Sequence, residues 1–275
     1  MNLKLTGKTA FISGSTKGIG FAIASQLAVE GAHVIVNGRS DGAVNSAVQQ
    51  VRKALPEVKV EGFAGDMATA MATERLLKFF PDVDILVNNL GIYEPKPFDN
   101  ISDEDWHYIF DVNVLSGVRL SRAYVSGMKQ RNWGRIIFIS SESAIFTPKE
   151  MIHYGMTKTA QLAVSRGLAE HCGGTGVTVN SILPGPTHSA GVEHFVAQLG
   201  GGQSFGAFEK EFFKSIRPSS LLKRFETLDE VAGLVTFVCS PVASAHQRGS
   251  SPCGWRGRLL MFLTTMIENR EREMI

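Results

Sequence analysis

The sequence predicts an α/β fold in which one doubly wound parallel sheet carries helices on both faces. Short runs rich in β-branched residues alternate with longer segments of helical periodicity, and the runs are continuously apolar instead of strictly alternating. Continuous apolar runs are typical of strands covered on both faces, and regular strand–helix alternation is typical of a parallel sheet. No repeat and no linker divides the 275 residues, so we expect a single domain.

The individual elements follow from these patterns. Strands are predicted at 8–13, 33–37, 58–64, 84–88, 135–140 and 177–183. Helices are predicted at 18–30, 42–54, 103–130 and 153–171. Ser102 and Thr227 each precede an acidic residue by three positions, a spacing typical of capping boxes that open helices.

Composition restricts the class of protein. Hydrophobic residues make up 44% and charged residues 20%, as in soluble globular proteins. A net charge of +2 indicates no special attraction to nucleic acid or acidic membranes. There is no apolar run of signal-peptide or membrane-span length. Cys172, Cys239 and Cys253 are widely spaced and fit no metal-ligand pattern, so we expect a cytoplasmic protein without a metal.

A glycine-rich turn follows the first strand. It comprises Gly14, Ser15, Thr16, Lys17, Gly18, Ile19 and Gly20. Glycines in this position allow a tight turn and let the backbone approach phosphates at a helix N-terminus. The spacing G-x-x-x-G-x-G differs from G-x-G-x-x-G, and Lys17 precedes Gly18 instead of following it as in a P-loop. We interpret the turn as a dinucleotide-phosphate site; an ordinary glycine turn is the alternative.

The residues after the second strand bear on the choice of cofactor. NAD usually binds through an acidic residue about 20 positions after the turn, whereas an arginine accommodates the extra phosphate of NADP. Here Gly38 and Arg39 follow the strand, and Lys17 adds a second cation. NADP is therefore predicted, with NAD as the alternative because Asp41 lies nearby and Arg39 could be an ordinary surface residue.

Tyr154 and Lys158 lie four residues apart in a predicted helix. Residues with this spacing share a helix face, so a phenol and an ammonium would project together. The pair is either a solvated helix face or a proton-transfer device that faces a cleft.

Several motifs together resemble the short-chain dehydrogenase/reductase family, over roughly residues 5–245. They are the glycine turn, N-N-L-G at 88–91, Asn113 in F-D-V-N-V, Ser141 in I-F-I-S-S-E-S, Y-G-M-T-K at 154–158, and P-G-P-T-H-S from Pro184. Leu90 stands where the family has alanine. The resemblance implies a Rossmann-type fold and a carbonyl/alcohol oxidoreductase.

The resemblance also implies catalytic roles. Tyr154 would be the general acid/base, Ser141 would hydrogen-bond the reacting oxygen, and Asn113 would hold a water that links Lys158 to solvent. Ser140 and Ser143 are alternatives to Ser141. A cation 4 Å away at an effective dielectric near 20 contributes about 4 kcal/mol, or roughly three pKa units. Lys158, helped by an oxidised nicotinamide, would thus bring the pKa of the phenol toward neutrality.

Further residues would bind the cofactor if the resemblance holds. Lys158 would bind the nicotinamide ribose, Asp66 the adenine and Thr187 the carboxamide. Others would line the cofactor: Asn88, Gly91, Ile139, Pro184 and Gly185. Asp66 as a helix-opening turn acid and Thr187 as a plain loop residue are the alternatives.

The expected protein is an NADP-dependent oxidoreductase that interconverts a carbonyl and a secondary alcohol. Two alternatives stay open, namely an NAD-preferring dehydrogenase and a catalytically silent nucleotide-binding or scaffold protein. The family implies a tetramer or dimer, a small-molecule substrate, and a substrate lid at 189–222. Phe195, Phe205, Phe208, Phe212 and Phe213 of that segment either close over a partly apolar substrate or only pack onto the core.

Residues 246–275, called the tail below, do not resemble the family, whereas 1–245 form the expected catalytic domain. The family's seventh strand should follow the helix pattern at 229–245, but the tail has no strand pattern. Residues 246–258 can be encoded so that omitting one base yields a strand ending in Val-Asp-Gly-Gly. We hypothesise a one-base shift near residue 246; the alternative is a natural tail with a helix at 259–267. A missing or altered seventh strand would expose a sheet edge that invites aggregation and would weaken oligomerisation.

Overall fold

A single parallel sheet organises the protein in a computed structural model, which describes residues 1–189, 192–193, 204–247 and 250–252. The strands are β1 (Thr9–Ile12), β2 (His33–Gly38), β3 (Val60–Ala64), β4 (Ile85–Asn88), β5 (Gly134–Ile139), β6 (Val177–Leu183) and β7 (Ser250–Pro252). Their order is β3-β2-β1-β4-β5-β6-β7. The order reverses between β1 and β4, and in such sheets ligands bind at the carboxyl ends of the strands at this switch point. The fold-class prediction is confirmed.

Helices cover both faces of the sheet. They are α1 (Gly18–Val29), α2 (Asp41–Ala54), α3 (Ala70–Phe79), α4 (Asp103–Phe110), α5 (Ser116–Gln130), α6 (Ile152–His171), α7 (Phe205–Glu211) and α8 (Leu228–Cys239). The six predicted strands and the helices starting at 18, 42 and 153 agree with these bounds within two residues. Both predicted capping boxes are present, at the starts of α4 and α8.

Two apolar cores sandwich the sheet. Successive residues of a strand point to opposite faces, so Ile12 packs with α1, α2 and α8, whereas Phe11 packs with α3, α5 and α6. The α8 helix ends at Cys239, short of the predicted 245, and a 3₁₀ turn at Pro241–Ala243 follows it. Proline lacks the N–H that a continuing helix needs, which explains the early end.

The predicted helix at 103–130 is interrupted. A π-helical turn at Asp111–Leu115 separates α4 from α5. Such turns insert an extra residue and are frequent at functional sites. The candidate catalytic residue Asn113 lies in the middle of this turn.

More of the β6 edge is hydrogen-bonded than predicted. Tail residues Ser250–Pro252 form β7, which pairs with β6 from Ser181 to Leu183, so the expectation that the tail has no strand is wrong there. Upstream, the Gln247 carboxamide accepts the Val179 N–H at 2.7 Å and donates to Val177 O at 3.0 Å. The Gln247 side chain thus bonds two backbone groups of β6 that a neighbouring strand would otherwise pair. The predicted helix at 259–267 lies outside the described residues.

None of the helices in the described ranges has the length and apolar character that crossing a membrane would require.

Candidate active site

The glycine turn connects β1 to α1 at the switch point of the sheet. Gly14 and Gly18 have φ angles of 62° and 59°, in the left-handed region that favours glycine. At Gly20 an added Cβ would lie 2.5 Å from Asn89 Nδ2 and 2.6 Å from Gly14 O. The turn therefore requires glycines, and it lets the backbone come close to a ligand in the adjacent cleft.

Helix α1 begins without a capping side chain. Ser40, Thr69 and Thr227 accept a backbone N–H at the starts of α2, α3 and α8, but Lys17 makes no such bond at α1. The first N–H groups of α1 can therefore donate to an anion beside the glycine turn. This arrangement fits the phosphates of a dinucleotide.

Two asparagines hold the turn in place. The Gly14 N–H donates to Asn37 Oδ1 at 3.0 Å, and Asn37 Nδ2 donates to two carbonyls at the end of β3. Asn89 Nδ2 donates to Ser13 O at 2.9 Å and to Gly14 O at 3.0 Å. Neither residue was given a role from the sequence, although each directly follows an apolar strand run, where open sheets place their sites.

A cleft of about 480 Å³ extends from the glycine turn across the ends of the central strands. The predicted residues that line it are Gly14, Lys17, Gly18, Ile19, Gly20, Gly91, Ile139, Ser141, Tyr154, Lys158, Pro184, Gly185 and Thr187. Lining residues that were not predicted are Asn89, Tyr93, Ser189 and Val192. The fold thus brings the phosphate turn and the Tyr154–Lys158 pair into one cleft.

Some predicted site residues do not line this cleft. Ser15 supports the turn from behind, because its hydroxyl donates to Ile12 O at 2.7 Å. Asn88 Nδ2 donates to the Ser121 hydroxyl at 3.1 Å inside the core. Its neighbour Asn89 occupies the lining position expected for Asn88, because successive residues at a strand end point to opposite faces.

Asp66 is exposed and opens the turn before α3, where its Oδ1 accepts the Ala68 N–H at 3.1 Å. This contact matches the alternative interpretation, a helix-opening acid, and the adenine contact stays a prediction. Thr187 lines the cleft, and its hydroxyl donates to Gly185 O at 3.0 Å.

The two predicted NADP-binding cations are exposed at one corner of the sheet. An added Cβ at Gly38 would lie 2.5 Å from Thr16 Cγ2, so the end of β2 touches the glycine turn. Arg39 directly follows Gly38, and Lys17 directly follows Thr16, so the backbones that carry the two cations are neighbours. Asp41 is the first residue of α2.

Tyr154 and Lys158 face the cleft from the first turns of α6. Lys158 Nζ lies 5.5 Å from the centroid of the Tyr154 ring and donates to Ile139 O at 2.9 Å. Lys158 is only 4% exposed. The pair is therefore not a solvated helix face.

Burial dominates the pKa values of this pair. It raises the pKa of Tyr154 to about 12, against the lowering effect of a hydrogen bond with Ser141, and it lowers the pKa of Lys158 to about 7. The lowered phenol pKa is expected with an oxidised nicotinamide beside Lys158, so it stays a prediction. Desolvation disfavours the charged forms of both groups, and the Lys158 nitrogen faces the Tyr154 ring.

Ser141 is the serine that contacts Tyr154. It lies just past β5, and its Oγ accepts the Ser143 N–H at 3.1 Å. Ser140 is occupied elsewhere, because its hydroxyl donates to Lys158 O at 2.9 Å. Of the three candidates, Ser141 is best placed to reach a reacting oxygen.

Asn113 is buried behind the cleft. Its Oδ1 accepts the Ile92 N–H at 2.8 Å, and its Nδ2 donates to Ile92 O at 2.9 Å and to Thr157 Oγ1 at 3.0 Å. The side chain therefore ties the loop after β4 to α6. Its predicted link to a water stays a prediction.

A second pocket of about 210 Å³ adjoins Ser141 and Tyr154. Phe208, Phe212 and Phe225 line it, and the two former rings lie 6.4 Å and 5.2 Å from the Phe225 centroid. Residues 190–191 and 194–203 of the predicted lid, including Phe195 and the glycine run from Gly200, lie outside the described residues.

Comparisons with known proteins agree on one family. Residues 8–199 match the family described as short chain dehydrogenase. The chain is 47% identical over 247 residues to the uncharacterized oxidoreductase YvaG of Bacillus subtilis, covering 89% of this chain and 94% of that protein.

Two solved structures show different cofactors in similar folds. L-sorbose reductase from Gluconobacter frateurii, complexed with NADPH and L-sorbose, has a TM-score of 0.87 at 29% identity and covers 93% of this chain and 98% of its own. A 7α-hydroxysteroid dehydrogenase complexed with NADH and 7-oxo glycochenodeoxycholic acid has a TM-score of 0.81 at 27% identity, with coverages of 92% and 95%.

Proposed function

Because the chain belongs to the short-chain dehydrogenase family of NAD(P)-dependent oxidoreductases, we propose that it interconverts a carbonyl and a secondary alcohol, with NADP as the preferred cofactor. The observation that carries the proposal is the shared cleft, which joins the glycine turn to Ser141, Tyr154 and Lys158. When bound, the nicotinamide supplies or accepts the hydride.

Residues of the chain would transfer the proton to or from the reacting oxygen. In the reduction direction the Tyr154 hydroxyl donates a proton to the carbonyl oxygen, and the Ser141 hydroxyl bonds the same oxygen. Lys158 holds the ribose and places positive charge beside Tyr154. Asn113 supports this site through Ile92 and Thr157. A proton held at the reacting oxygen in this way contributes typically 10²–10⁴-fold to a rate.

The preference for NADP is supported by the two exposed cations at the end of β2 and in the glycine turn. Lys17 lines the cleft, and Arg39 directly follows Gly38, whose backbone lies against Thr16 of the glycine turn. A 2′-phosphate would gain charge-assisted hydrogen bonds from these cations. Asp41 starts a helix, where a carboxylate also stabilises the helix dipole.

The substrate should carry an apolar group. The smaller pocket beside Tyr154 presents the rings of Phe208, Phe212 and Phe225, and a polyhydroxylated chain would leave hydroxyls unpaired against them. A pocket lined by aromatic rings favours an alkyl or aryl ketone as substrate. Phe208 lies on α7, which is part of the expected lid at 189–222.

The proposal is tested with purified protein, NADPH and a panel of apolar, polyhydroxylated and acidic carbonyl compounds. Consumption of NADPH is followed by absorbance and its binding by fluorescence. Tyr154→Phe should lower kcat about 10²–10⁴-fold and keep NADPH binding, whereas Tyr108→Phe, an exposed tyrosine on α4, should change neither. Full activity of Tyr154→Phe would refute the mechanism, and binding without turnover of any compound would favour the silent nucleotide-binding alternative.

We infer that 1–245 is the catalytic domain and that 246–275 arose by a one-base shift. The relative YvaG covers 89% of this chain, which leaves about 30 of 275 residues unmatched, the size of the tail. Sequencing the gene tests this; if no single-base change restores the family's strand, the idea fails.

A further inference from the structure

We propose that Gln161 is a positioning residue, which fixes the Lys158 ammonium by bridging it to the backbone carbonyl of Asn113. Gln161 lies on α6, one turn after Lys158, and is 2% exposed. Its Nε2 donates to Asn113 O at 2.6 Å, and its Oε1 accepts from Lys158 Nζ at 3.4 Å. The inference rests on the proposed function, in which Lys158 serves the reaction.

The two partners determine how the Gln161 amide is oriented. A backbone carbonyl can only accept a hydrogen bond, and an ammonium can only donate. Turning the amide over would set two acceptors against each other at Asn113 and two donors at Lys158. The side chain therefore fits in one orientation, and a hydrophobic residue in its place would leave both buried groups without this partner.

The π-turn brings the carbonyl to Gln161. Inside an ordinary helix a carbonyl accepts from the N–H four residues on, whereas in the turn at Asp111–Leu115 the Ser116 N–H donates to Asp111 O, five residues back, and Asn113 lies in the middle of this turn. The Asn113 side chain anchors the turn to Ile92, while its carbonyl meets α6 through Gln161. Nothing in the sequence near Gln161 indicates this contact.

Gln161 also limits the directions that the ammonium hydrogens can take. An ammonium has three donors; Ile139 O takes one at 2.9 Å and Gln161 Oε1 a second. The third is left to point toward the cleft and Tyr154. Among the described residues, Tyr154 lies beside Lys158, and the Glu142 carboxylate and the Tyr93 phenol both act to raise the pKa of Tyr154.

Loss of Gln161 should therefore change how Lys158 titrates. A buried ammonium depends on its acceptors, because burial already lowers the pKa of Lys158 to about 7. Gln161→Met removes the acceptor and should lower that pKa by about one unit. Gln161→Glu keeps an acceptor, adds negative charge and should raise it by about one unit or more.

The test is a pH titration of protein labelled with [ε-¹³C]lysine, followed by NMR, with the Lys158 signal assigned through Lys158→Met. Gln50→Met, an exposed glutamine that bonds Ser46 on α2, is the matched control and should leave the signal unchanged. The readout needs no substrate, so it stands even if wild-type protein reduces no carbonyl and the proposed function fails. Opposite shifts in Gln161→Met and Gln161→Glu support the inference; an unchanged pKa in both overturns it.

Kinetics add a second readout on an active enzyme. Gln161→Met should lower kcat/KM about tenfold and displace its pH profile to lower pH, whereas Gln161→Glu, which cannot donate to Asn113 O, should also lower the rate but displace the profile to higher pH. Equal losses in both variants with the wild-type profile would overturn the positioning role. If Gln161→Met does not fold, a folded Gln161→Glu whose Lys158 titrates as in wild type also overturns it.

Discussion

Glu142 Oε1 lies 2.7 Å from Arg217 Nε. A carboxylate next to the candidate catalytic serine is thus paired with the residue that directly follows the turn Phe212–Ile216. Glu142 is 7% exposed and Arg217 side chain 20%. Both line the smaller pocket beside Tyr154. The pair therefore connects the catalytic loop after β5 to the substrate side of the cleft.

Removing one partner of this ion pair should destabilise the protein more than removing both partners. Arg217→Met leaves a buried, uncompensated carboxylate, which we expect to cost about 2–4 kcal/mol of unfolding free energy. Arg217→Met combined with Glu142→Gln should recover at least half of that loss, as measured by urea unfolding. If the double variant is no more stable than Arg217→Met, the pair does not act as a compensated buried ion pair.

Lys158 should make the protein more stable as the pH rises above 7. Its pKa falls from 10.5 to about 7 on folding because of burial, so between these values the unfolded chain binds more protons than the folded one. The free energy of unfolding therefore increases with pH over that window, by on the order of a few kcal/mol. Lys158→Met should remove the increase in urea-unfolding experiments at pH 7–10, whereas Lys53→Met, at an exposed position, should keep it. An unchanged slope in Lys158→Met would contradict the buried lysine.

Glu226 should have the opposite effect below pH 7. Burial raises its pKa from 4.5 to about 7, although it accepts the Gly185 N–H. The folded chain thus holds the extra proton between pH 4.5 and 7, and the free energy of unfolding falls as pH rises through that window. Glu226→Gln should abolish the fall, measured as the difference in unfolding free energy between pH 5 and 7. The exposed Glu74→Gln serves as control; if Glu226→Gln keeps the full fall, Glu226 is not its source.

Arg39 and Lys17 should determine cofactor choice. Arg39→Ala should weaken NADPH binding about 10–100-fold, the effect of losing one charge-assisted hydrogen bond of roughly 1.5–3 kcal/mol. NADH binding should stay within about twofold, because NADH has no 2′-phosphate. Fluorescence titration with both cofactors measures the ratio, and Arg122→Ala, an exposed arginine on α5, should leave it unchanged. Equal losses for the two cofactors in Arg39→Ala would favour the NAD alternative.

Gln247 should contribute to stability as part of the sheet edge. Gln247→Ala removes two hydrogen bonds to β6 and should cost about 1–3 kcal/mol of unfolding free energy. Gln50→Ala, whose amide bonds an exposed Ser46 hydroxyl, should cost less than about 0.5 kcal/mol. A similar cost for both variants would mean that the β6 edge does not depend on Gln247.

Size-exclusion chromatography of the same variants would show whether the expected tetramer or dimer forms.

Much of the fold could be predicted because its signals are local. Apolar runs located six strands, and capping boxes located the starts of α4 and α8, since strand burial and helix caps depend on a few neighbouring residues. The π-turn at Asn113 and strand β7 have no local pattern. They form because α6 and β6 offer partners that are distant in the sequence.

The sequence by itself determined the parallel α/β fold, the glycine turn and the four-residue spacing that puts Tyr154 and Lys158 on one face, because each depends on residue type and periodicity alone. Only the tertiary structure decided that Lys158 is buried and Tyr154 half-buried, that desolvation shifts both pKa values away from the charged forms, and that Gln161 joins Lys158 to Asn113. Those outcomes depend on desolvation and on hydrogen bonds between distant segments, and neither quantity is set until the chain has folded.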